Sequence, residues 1–392
     1  MPPHEGLVHP KEYDIKDSNV ELIGADIDHR VKYKSAATEP AWNDGAVGKT
    51  AGLKIWRIEN FEVVPWPKQR HGQFYDGDSF IVLHSYKVGK DSDKLGHDIF
   101  FWLGAHTTQD EAGTAAYKTV ELDEFLNGAA TQHREVQQAP SDAFLALFPR
   151  IKISAGGVAS GFRHVERDGE QVQGQQNVLL RVFTPVGSSV VAHEVEPSWR
   201  SLDDGDVFVL DTGDKMWLWQ GMRSSPMEKA RAAALVHDLT LESKKRIDVE
   251  VVAQSESRSR RVIDLLGGDQ ETPREGFRQP RPLGSGPKEE ARSKKQLFRL
   301  SDASGQLEFV LVCEGARVPR GQLDGNDVFV LDDGGRAVWV WEGRGASVAE
   351  RAKWLGVARA YMARVGGEQL VPLAKVKEGS EGGAFWKALE VQ

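Results

Sequence analysis

The sequence predicts an α/β (α+β) protein made of three tandem copies of one folding unit. Three observations predict this organisation: the length of 392 residues, the alternation of short apolar strands with longer helical segments, and markers that recur along the chain. A chain of this length exceeds the usual size of one hydrophobic core and suits two to four domains. Such repeats place equivalent side chains at equivalent positions in every copy.

The first two markers are strand-like segments. One is a short apolar segment that carries an arginine. It occurs at residues 54–58, 178–182 and 296–300, with Arg57, Arg181 and Arg299. The other is an acidic glycine turn that leads into a strand. It occurs at residues 76–83, 204–210 and 324–331, and the third copy has Asn326 between the glycine and the aspartate.

The third marker is a strand that ends in tryptophan and is closed by glycine, at residues 100–104, 217–221 and 339–343. We expect this glycine to supply a positive φ where the chain leaves the strand. A glutamate lies nine residues beyond each tryptophan: Glu111, Glu228 and Glu350. Helices are predicted over residues 108–126, 226–241 and 347–364, and Pro226 suits a helix start.

Composition shifts along the chain predict the domain boundaries. Residues rich in glycine, proline and charge separate the second and third units, and the first fifty residues are polar and weakly periodic. The predicted parts are an N-terminal extension over 1–50, domain 1 over 51–153, a linker over 154–175, domain 2 over 176–267, an interdomain linker over 268–294 and domain 3 over 295–392.

The overall composition excludes several classes of protein. The chain is 40% hydrophobic and 28% charged with a net charge of -8, which argues against broad nucleic-acid binding. Its single cysteine, Cys313, lies in an apolar run and is expected to be buried and inert. Neither a signal peptide nor a membrane span is predicted, so we expect a cytoplasmic protein.

The acidic turns offer calcium chemistry, because calcium takes six to eight oxygen ligands from carboxylates, carbonyls and water. The turns provide paired donors in each unit: Gly77 and Asp78, Gly205 and Asp206, Asn326 and Asp327. An isolated Asp-Gly pair is more often a simple turn, and a helical glutamate is usually solvated. Three copies with one tryptophan-to-glutamate spacing favour calcium, and the third copy is the weakest.

No catalytic pattern competes with this interpretation, so an enzyme is not expected. The eleven histidines form no His-Glu-x-x-His pair, and no Gly-x-Ser-x-Gly elbow occurs. A hydrolase that uses Asp76 and Asp78 is an alternative, but three copies of one acidic pair suit modular binding better than one active site. A scaffold whose acidic turns are purely structural is a further alternative.

The markers resemble a known family. Residues 74–83 and 108–123, together with 156–162, resemble the first domain of gelsolin, and the likeness extends over residues 50–392. The chain is identified as a member of the gelsolin/villin superfamily, similar to its three-domain severin and fragmin type. The resemblance implies a central mixed five-stranded sheet between a long and a short helix in each domain.

The resemblance also implies a function: calcium-dependent severing of actin filaments with capping of their barbed ends, or capping without severing as the alternative. The long helix of domain 1 would bind actin, and its apolar residues three or four apart suit a groove. Their spacing alone does not exclude that these apolar residues face the sheet of domain 1 instead of actin. The implied actin-binding residues are Gln109, Ala112, Ala116, Tyr117, Val120, Asp123 and Phe162.

Calcium ligands are implied in the same way. The site within domain 1 would use Asp78, Glu111 and the carbonyls of Gly77 and Val158. A second site would use Asp123, the carbonyls of Gly128 and Ala130, and a ligand from actin. Domains 2 and 3 would use the equivalent residues: Gly205, Asp206 and Glu228, then Asn326, Asp327 and Glu350. The fourth ligand in domain 2 stays open between Asp269 and Glu275.

Regulation is expected to depend on calcium more than on lipid. Calcium would release contacts between domains, provided that it binds the open arrangement more tightly. Residues 150–154 and 182–189 are poorly basic, and each cation near a membrane surface contributes about 1 kcal/mol. We therefore expect weak phosphoinositide binding, and a monomer when the chain is not bound to actin.

Overall fold

The fold was obtained as a computed structural model that describes residues 36–89, 93–158, 177–184, 190–243, 246–280, 294–365 and 371–390. Within these ranges, the elements whose bounds are defined are seventeen strands, six helices and three short 3₁₀ helices, and residues 36–38 are also helical. None of the described helices combines the length and apolar character needed to cross a bilayer.

Domain 1 contains seven strands and two helices. The strands are β1 (Gly52–Glu59), β2 (Glu62–Pro65), β3 (Gln73–Tyr75), β4 (Ser79–Lys87), β5 (Leu95–Leu103), β6 (Ala130–Val136) and β7 (Arg150–Ser154). The helices are the long α1 (Gln109–Phe125) and the short α2 (Asp142–Leu145), with a 3₁₀ helix at Lys68–Arg70.

Domain 2 contains five strands and two helices. The strands are β8 (Val178–Phe183), β9 (Val190–Val195), β10 (Val207–Asp211), β11 (Lys215–Gln220) and β12 (Asp248–Ala253). The helices are the long α3 (Pro226–Glu242) and the short α4 (Ser259–Leu265), with a 3₁₀ helix at Trp199–Ser201.

Domain 3 repeats this pattern. The strands are β13 (Lys295–Ser301), β14 (Glu308–Gly315), β15 (Val328–Asp332), β16 (Val338–Glu342) and β17 (Leu373–Lys377). The helices are the long α5 (Val348–Val365) and the short α6 (Gly383–Glu390), with a 3₁₀ helix at Arg320–Gln322.

All three domains share one sheet topology. The strand orders are β2-β1-β4-β5-β6, β9-β8-β10-β11-β12 and β14-β13-β15-β16-β17. In each sheet the last pair is parallel and the other pairs are antiparallel. The parallel pair requires a crossover, and the long helix supplies it. The predicted fold class, tandem domains with a mixed five-stranded sheet, is confirmed.

Each sheet carries a hydrophobic core on both faces, one beneath the long helix and one beneath the short helix. The tryptophan of the third marker stands edge-on to a phenylalanine in the core beneath the short helix. The pairs and their centroid distances are Phe80–Trp102 at 5.9 Å, Phe208–Trp219 at 5.7 Å and Phe329–Trp341 at 5.9 Å. The sequence repeat is therefore a packing repeat.

The glycine that follows each tryptophan strand has a different role from the one predicted. Gly104, Gly221 and Gly343 do not have positive φ. A Cβ at these positions would overlap a carbonyl oxygen of the acidic turn. The glycine N–H groups donate to the carbonyls of Asp78, Asp206 and Asp327 at 3.0 to 3.1 Å. Glycine is thus required by the close approach of two backbones, and the positive-φ expectation is wrong.

The domains are joined through their sheets. Strand β6 of domain 1 pairs antiparallel with β17 of domain 3, with Gln132 opposite Lys375, so the two sheets form one of ten strands. Strand β7 pairs parallel with β9 of domain 2, with Arg150 opposite Val190, and β3 extends this sheet to seven strands. Domain 1 therefore contacts both other domains by backbone pairing.

Two segments outside the predicted domain cores pack against them. Trp42 is fully buried, stands edge-on to Trp56 at 4.9 Å, and donates its indole N–H to Glu121 on α1 at 3.1 Å. Phe277, from the predicted interdomain linker, is buried in the domain 2 core. These residues add apolar surface to domains 1 and 2.

Candidate functional site

The arginine of the first marker meets the aspartate of the acidic turn in all three domains. Strand register explains this, because each arginine lies opposite the phenylalanine two residues after the aspartate. The pairs and their closest distances are Arg57–Asp78 at 3.1 Å, Arg181–Asp206 at 2.5 Å and Arg299–Asp327 at 3.9 Å. The sequence showed both residues but not that they form one site.

The turn of domain 1 is built around the fully buried Asp78. The backbone N–H of Val158 donates to Asp78 Oδ1 at 2.8 Å, and the N–H of Gly77 donates to the Gly156 carbonyl at 2.8 Å. Within the described residues, Asp78 Oδ2 accepts no hydrogen bond of good geometry, although Arg57 Nε lies nearby. The negative charge of the buried Asp78 carboxylate is thus only partly balanced by hydrogen-bond donors.

The charge of Asp78 is costly in this position. Burial raises its pKa to about 6, even though Arg57 and the Val158 N–H act in the opposite direction. The nearby carboxylate of Glu111 raises that pKa further. Glu111 is itself buried and receives a long hydrogen bond from Thr107 Oγ1 at 3.5 Å. Two buried carboxylates that repel each other are suitable ligands for a hard divalent cation. The chemistry of the domain 1 residues therefore fits a calcium ion.

The turn of domain 2 has the same residues in a different electrostatic state. Arg181 donates to Asp206 Oδ2 from Nε at 2.6 Å and lies 2.5 Å away at Nη2, with both side chains buried. The same guanidinium donates to the carbonyls of Pro280 at 2.9 Å and Gln279 at 3.2 Å. A cation that bound Asp206 Oδ2 would compete with this arginine.

The other acidic groups of domain 2 are also hydrogen bonded. Glu228 Oε2 accepts from the N–H and hydroxyl of Ser225, both at 2.9 Å, while Oε1 accepts from the Thr184 N–H at 3.2 Å. The carboxylate of Asp269 accepts from the N–H and hydroxyl of Thr272, both at 3.0 Å. The Gly205 N–H donates to Asp203. These residues fit a divalent cation less well.

In domain 3 the charge balance of the acidic turn is intermediate between those of domains 1 and 2. Arg299 is half-exposed and forms only a long ion pair with Asp327. Asn326 is exposed and donates to Asp324 Oδ1 from its backbone at 3.0 Å and its side chain at 2.9 Å. Glu350 is buried, which raises its pKa, and it accepts from the N–H groups of Ser347 and Asp302, both at 3.0 Å. The two hydrogen bonds from Asn326 to Asp324 thus stabilise the turn in which both residues lie.

The constant spacing from tryptophan to glutamate has a local cause. Glu111, Glu228 and Glu350 are the third residues of α1, α3 and α5, after the N-cap residues Thr108, Ser225 and Ser347. Each N-cap hydroxyl accepts from the glutamate N–H at 3.2 Å. Ser/Thr-x-x-Glu is the sequence pattern of a capping box, which could have revealed this role. The spacing is therefore weaker evidence for metal than it first appeared.

The three residues predicted for the second calcium site, Asp123, Gly128 and Ala130, lie close together. Asp123 is buried on α1, and its Oδ1 accepts from the Ala130 N–H at 3.0 Å. Gly128, at φ +68°, donates its N–H to the Asp123 carbonyl at 2.7 Å. Gln132 and Lys377 donate to Asp123 Oδ2 at 2.9 and 3.0 Å. Lys377 belongs to domain 3 and no sequence pattern indicated it.

In the described parts of the chain, side chains alone do not form a metal site. No three histidine, cysteine, aspartate or glutamate side chains there gather closely enough to hold an ion. The predicted sites combine one or two carboxylates with backbone carbonyls, which is a donor set calcium accepts. The calcium ligands therefore remain predictions.

The predicted actin-binding face of α1 is partly exposed. Tyr117 is 51% exposed and Gln109 is also exposed, while Ala116 and Val120 are half-buried. Ala112 packs against the core of its own domain, where Ala115 and Leu122 form the inner face. Phe162 lies outside the described residues. The helix thus presents an aromatic side chain outward.

Comparison with known proteins agrees with this architecture. The family model for the gelsolin repeat matches residues 60–145 and 188–263. Gelsolin-like protein 1 of Lumbricus terrestris is 39% identical over 381 residues, 97% of this chain and 98% of the relative. Gelsolin-like protein 2 of the same organism is 35% identical over 98% of this chain and 99% of the relative. Severin of Echinococcus granulosus is 36% identical over 91% and 92%.

Three five-strand units of one topology, each with an acidic turn, define a protein of tandem modular domains. The chain belongs to the gelsolin family. Its resemblance to the three-domain, severin-like members is confirmed by relatives that it matches over almost their whole length.

Proposed function

We propose that this chain binds actin, severs actin filaments and caps their barbed ends, and that calcium controls these activities. The names of its relatives, which include severin and gelsolin-like proteins, support the proposal. The observation that carries it is the 51% exposed Tyr117 near the middle of α1. A large aromatic side chain on an exposed helix is a suitable anchor for a protein groove.

The helix face would enter a cleft on actin with Tyr117 as its main apolar contact. Val120 and Ala116 flank Tyr117 and are half-buried, so they add apolar surface without a large exposed patch. Gln109 is exposed at the first turn and would give a polar contact at the rim. This arrangement supports a protein-binding role for the outer face of α1.

Calcium would act first at domain 1. Bound there, it would supply the positive charge that the pair of buried carboxylates, Asp78 and Glu111, lacks. The carbonyls of Gly77 and Val158 would complete this site, since Val158 already contacts Asp78 through its N–H. Asp123 and the carbonyls of Gly128 and Ala130 would hold a second ion, whose remaining ligand comes from actin.

Calcium would also change the contacts between domains. The pairing of β6 with β17 fixes domain 3 against the edge of the domain 1 sheet, close to Asp123. Ion binding favours separation of these strands only if the separated arrangement binds calcium more tightly. Release of domain 3 would leave α1 and the Asp123 region accessible to actin.

We propose no catalytic activity. The acidic pair of the hydrolase alternative is committed to structure, because Asp76 accepts from the Gly156 N–H at 2.8 Å and lies 3.2 Å from His106. Asp78 is fully buried in the turn. The cytoplasm, the monomeric state and weak phosphoinositide binding stay predictions of the sequence.

The test is the dilution-induced depolymerisation of fluorescently labelled actin filaments with substoichiometric protein, in micromolar calcium and in chelator. Faster depolymerisation in calcium alone is the expected result and indicates severing. Slower depolymerisation in calcium indicates capping without severing. No effect in either buffer contradicts the proposal.

A matched pair of variants locates the activity on α1. Tyr117→Ala removes the exposed anchor and should reduce severing at least about tenfold, as the loss of an interface hot spot does. Leu355→Ala removes a 42% exposed apolar side chain from α5, the equivalent helix of domain 3, and should retain severing. Equal activity of both variants would exclude Tyr117 as an anchor.

A further inference from the structure

A pocket with a volume of about 230 Å³ is lined by side chains from domain 1 and domain 3. Strands β4, β5 and β6 form one side of it, and β16 with the first turn of α6 forms the other. The side chains that matter below are His84, Tyr86, Asp98, His133, Trp339 and Phe385. They lie on the sheet face beneath the short helices, so the pocket is separate from α1 and from the predicted calcium sites.

Aromatic rings make up much of the pocket wall. The His133 and Trp339 rings meet edge-on with 5.8 Å between their centroids, and Trp339 meets Phe385 at 5.7 Å. Within domain 1, the His84 and Tyr86 rings lie 5.2 Å apart. Ring faces attract organic cations, and pockets with several rings and few polar groups are typical of small-molecule sites.

Asp98 adds a carboxylate to this wall, and its side chain is 22% exposed. His133 Nε2 lies 3.5 Å from Asp98 Oδ1 and makes no hydrogen bond to the described residues. Burial lowers the pKa of His84 and raises the pKa of Tyr86 to about 12, so neither ring is charged at neutral pH. No lysine or arginine is among the residues that line the pocket.

The equivalent place in domain 2 shows which group such a surface can hold. Lys215 and Asp98 each lie four residues before the tryptophan of the third marker, and Glu250 takes the place of His133 on the neighbouring parallel strand. The Lys215 ammonium lies 4.3 Å from the centre of the Trp217 ring and 2.5 Å from Glu250 Oε2. Domain 2 therefore holds an ammonium group between an indole ring and a carboxylate.

We propose that the pocket between domains 1 and 3 binds a small alkylammonium ion. Its charge would lie beside Asp98, and its carbon atoms would pack on the rings of Trp339 and Tyr86. Domain 1 has a carboxylate where domain 2 has the lysine, so the cation would come from a ligand instead of the chain itself. This inference does not depend on the proposed function, because neither actin nor calcium takes part in it.

The test is a calorimetric titration of the full chain in chelator, where both domains contribute to the pocket. The probes are choline and butylammonium, which present a methylated and a primary ammonium group. Each is compared with an uncharged analogue: the carbon isostere of choline and butanol. At least one of the two cations should bind about tenfold or more tightly than its analogue, since the rings and the carboxylate both favour positive charge.

Variants locate the binding in this pocket. Asp98→Asn keeps the shape of the side chain but removes its charge, and should weaken binding of the cation about tenfold. Asp142→Asn removes an exposed carboxylate at the start of α2 and should retain binding within about twofold. Tyr86→Phe keeps the ring and should also bind as the wild type does, whereas Tyr86→Leu should weaken binding about threefold.

The proposal is overturned if neither cation binds at up to about 10 mM, or if the uncharged analogues bind as tightly as the cations. Binding to Asp98→Asn with wild-type affinity would place the ligand elsewhere and would also overturn it. These titrations contain neither actin nor added calcium, so their outcome is independent of the severing assay.

Discussion

The acidic turns of domains 1 and 2 share one sequence pattern and one fold, yet their charges are balanced differently. In domain 2 the Arg181 guanidinium is directed onto Asp206 and is held from behind by the carbonyls of Gln279 and Pro280. In domain 1 the corresponding arginine is shared among several groups. The repeat therefore fixes where the side chains lie, while flanking segments decide how strongly they pair.

The divided environment of Arg57 explains the difference. Its guanidinium lies between the rings of Trp66 and Tyr75, at 5.4 and 5.5 Å from their centroids, and its Nε is also 3.4 Å from Glu59. Aromatic faces attract a cation and compete with the carboxylate for it. The charge of Asp78 is therefore less fully compensated, and domain 1 is the better candidate for calcium.

The largest effect is expected from Asp206→Asn, which removes the charge that balances the buried Arg181. The variant should destabilise domain 2 by about 3 kcal/mol, because it leaves an uncompensated charge in the interior. Denaturant-dependent hydrogen exchange of peptides from β10 and β11, in chelator, measures this change. Stability equal to that of the wild type would show that the ion pair does not distinguish domain 2.

The equivalent change in domain 1 should have the opposite sign. Asp78→Asn replaces a buried carboxylate whose pKa is about 6 with a neutral group of the same shape. At pH 7.5 in chelator, domain 1 should gain up to about 3 kcal/mol, the free-energy equivalent of that raised pKa. Hydrogen exchange of β4 and β5 peptides measures the gain.

This gain should depend on pH. Because the pKa of Asp78 in the folded chain exceeds the ordinary value of 3.8, the folded state binds more protons between pH 4 and 6. The contribution of this group to stability is therefore lost as pH rises through that window. The advantage of Asp78→Asn should shrink as the pH falls from 7 to 4. An advantage that is constant with pH would contradict the assignment to Asp78.

A smaller effect separates the two helix starts. Ser225→Ala removes an N-cap that both accepts from Glu228 and donates to it, and should cost about 1 kcal/mol. Thr108→Ala removes one acceptor and should cost no more than that. Chemical denaturation followed by exchange of α3 and α1 peptides compares them. A larger loss for Thr108→Ala would show that Glu111 depends on its cap more than Glu228 does.

Much of the fold followed from the sequence, because the repeated features are local. The tryptophan strands, the acidic turns and the long helices are short segments whose composition and spacing indicate their structure. Their recurrence in three copies revealed the tandem domains. Core pairs such as Phe80 with Trp102 form because the neighbouring strands β4 and β5 place these side chains on the sheet face beneath the short helix.

The electrostatics of the candidate sites could not be predicted, because it depends on contacts between distant segments. Lys377 reaches Asp123 from another domain, and Gln279 and Pro280 reach Arg181 from the predicted linker that follows domain 2. For Glu111, Glu228 and Glu350 the deciding contact is local instead. Their Ser/Thr-x-x-Glu capping pattern was visible in the sequence, but their spacing was attributed to metal binding alone. Sequence spacing could not separate the two roles.

The most direct test of the account is a calorimetric calcium titration of Glu111→Gln and Glu228→Gln beside the wild type. Glutamine also serves in a capping box, so both variants should fold. We predict that Glu111→Gln weakens the tightest calcium binding at least about tenfold, because it removes one of the two buried carboxylates, Asp78 and Glu111, of the predicted site within domain 1. Glu228→Gln should retain it. The account is contradicted if Glu228→Gln abolishes the tightest binding while Glu111→Gln matches the wild type.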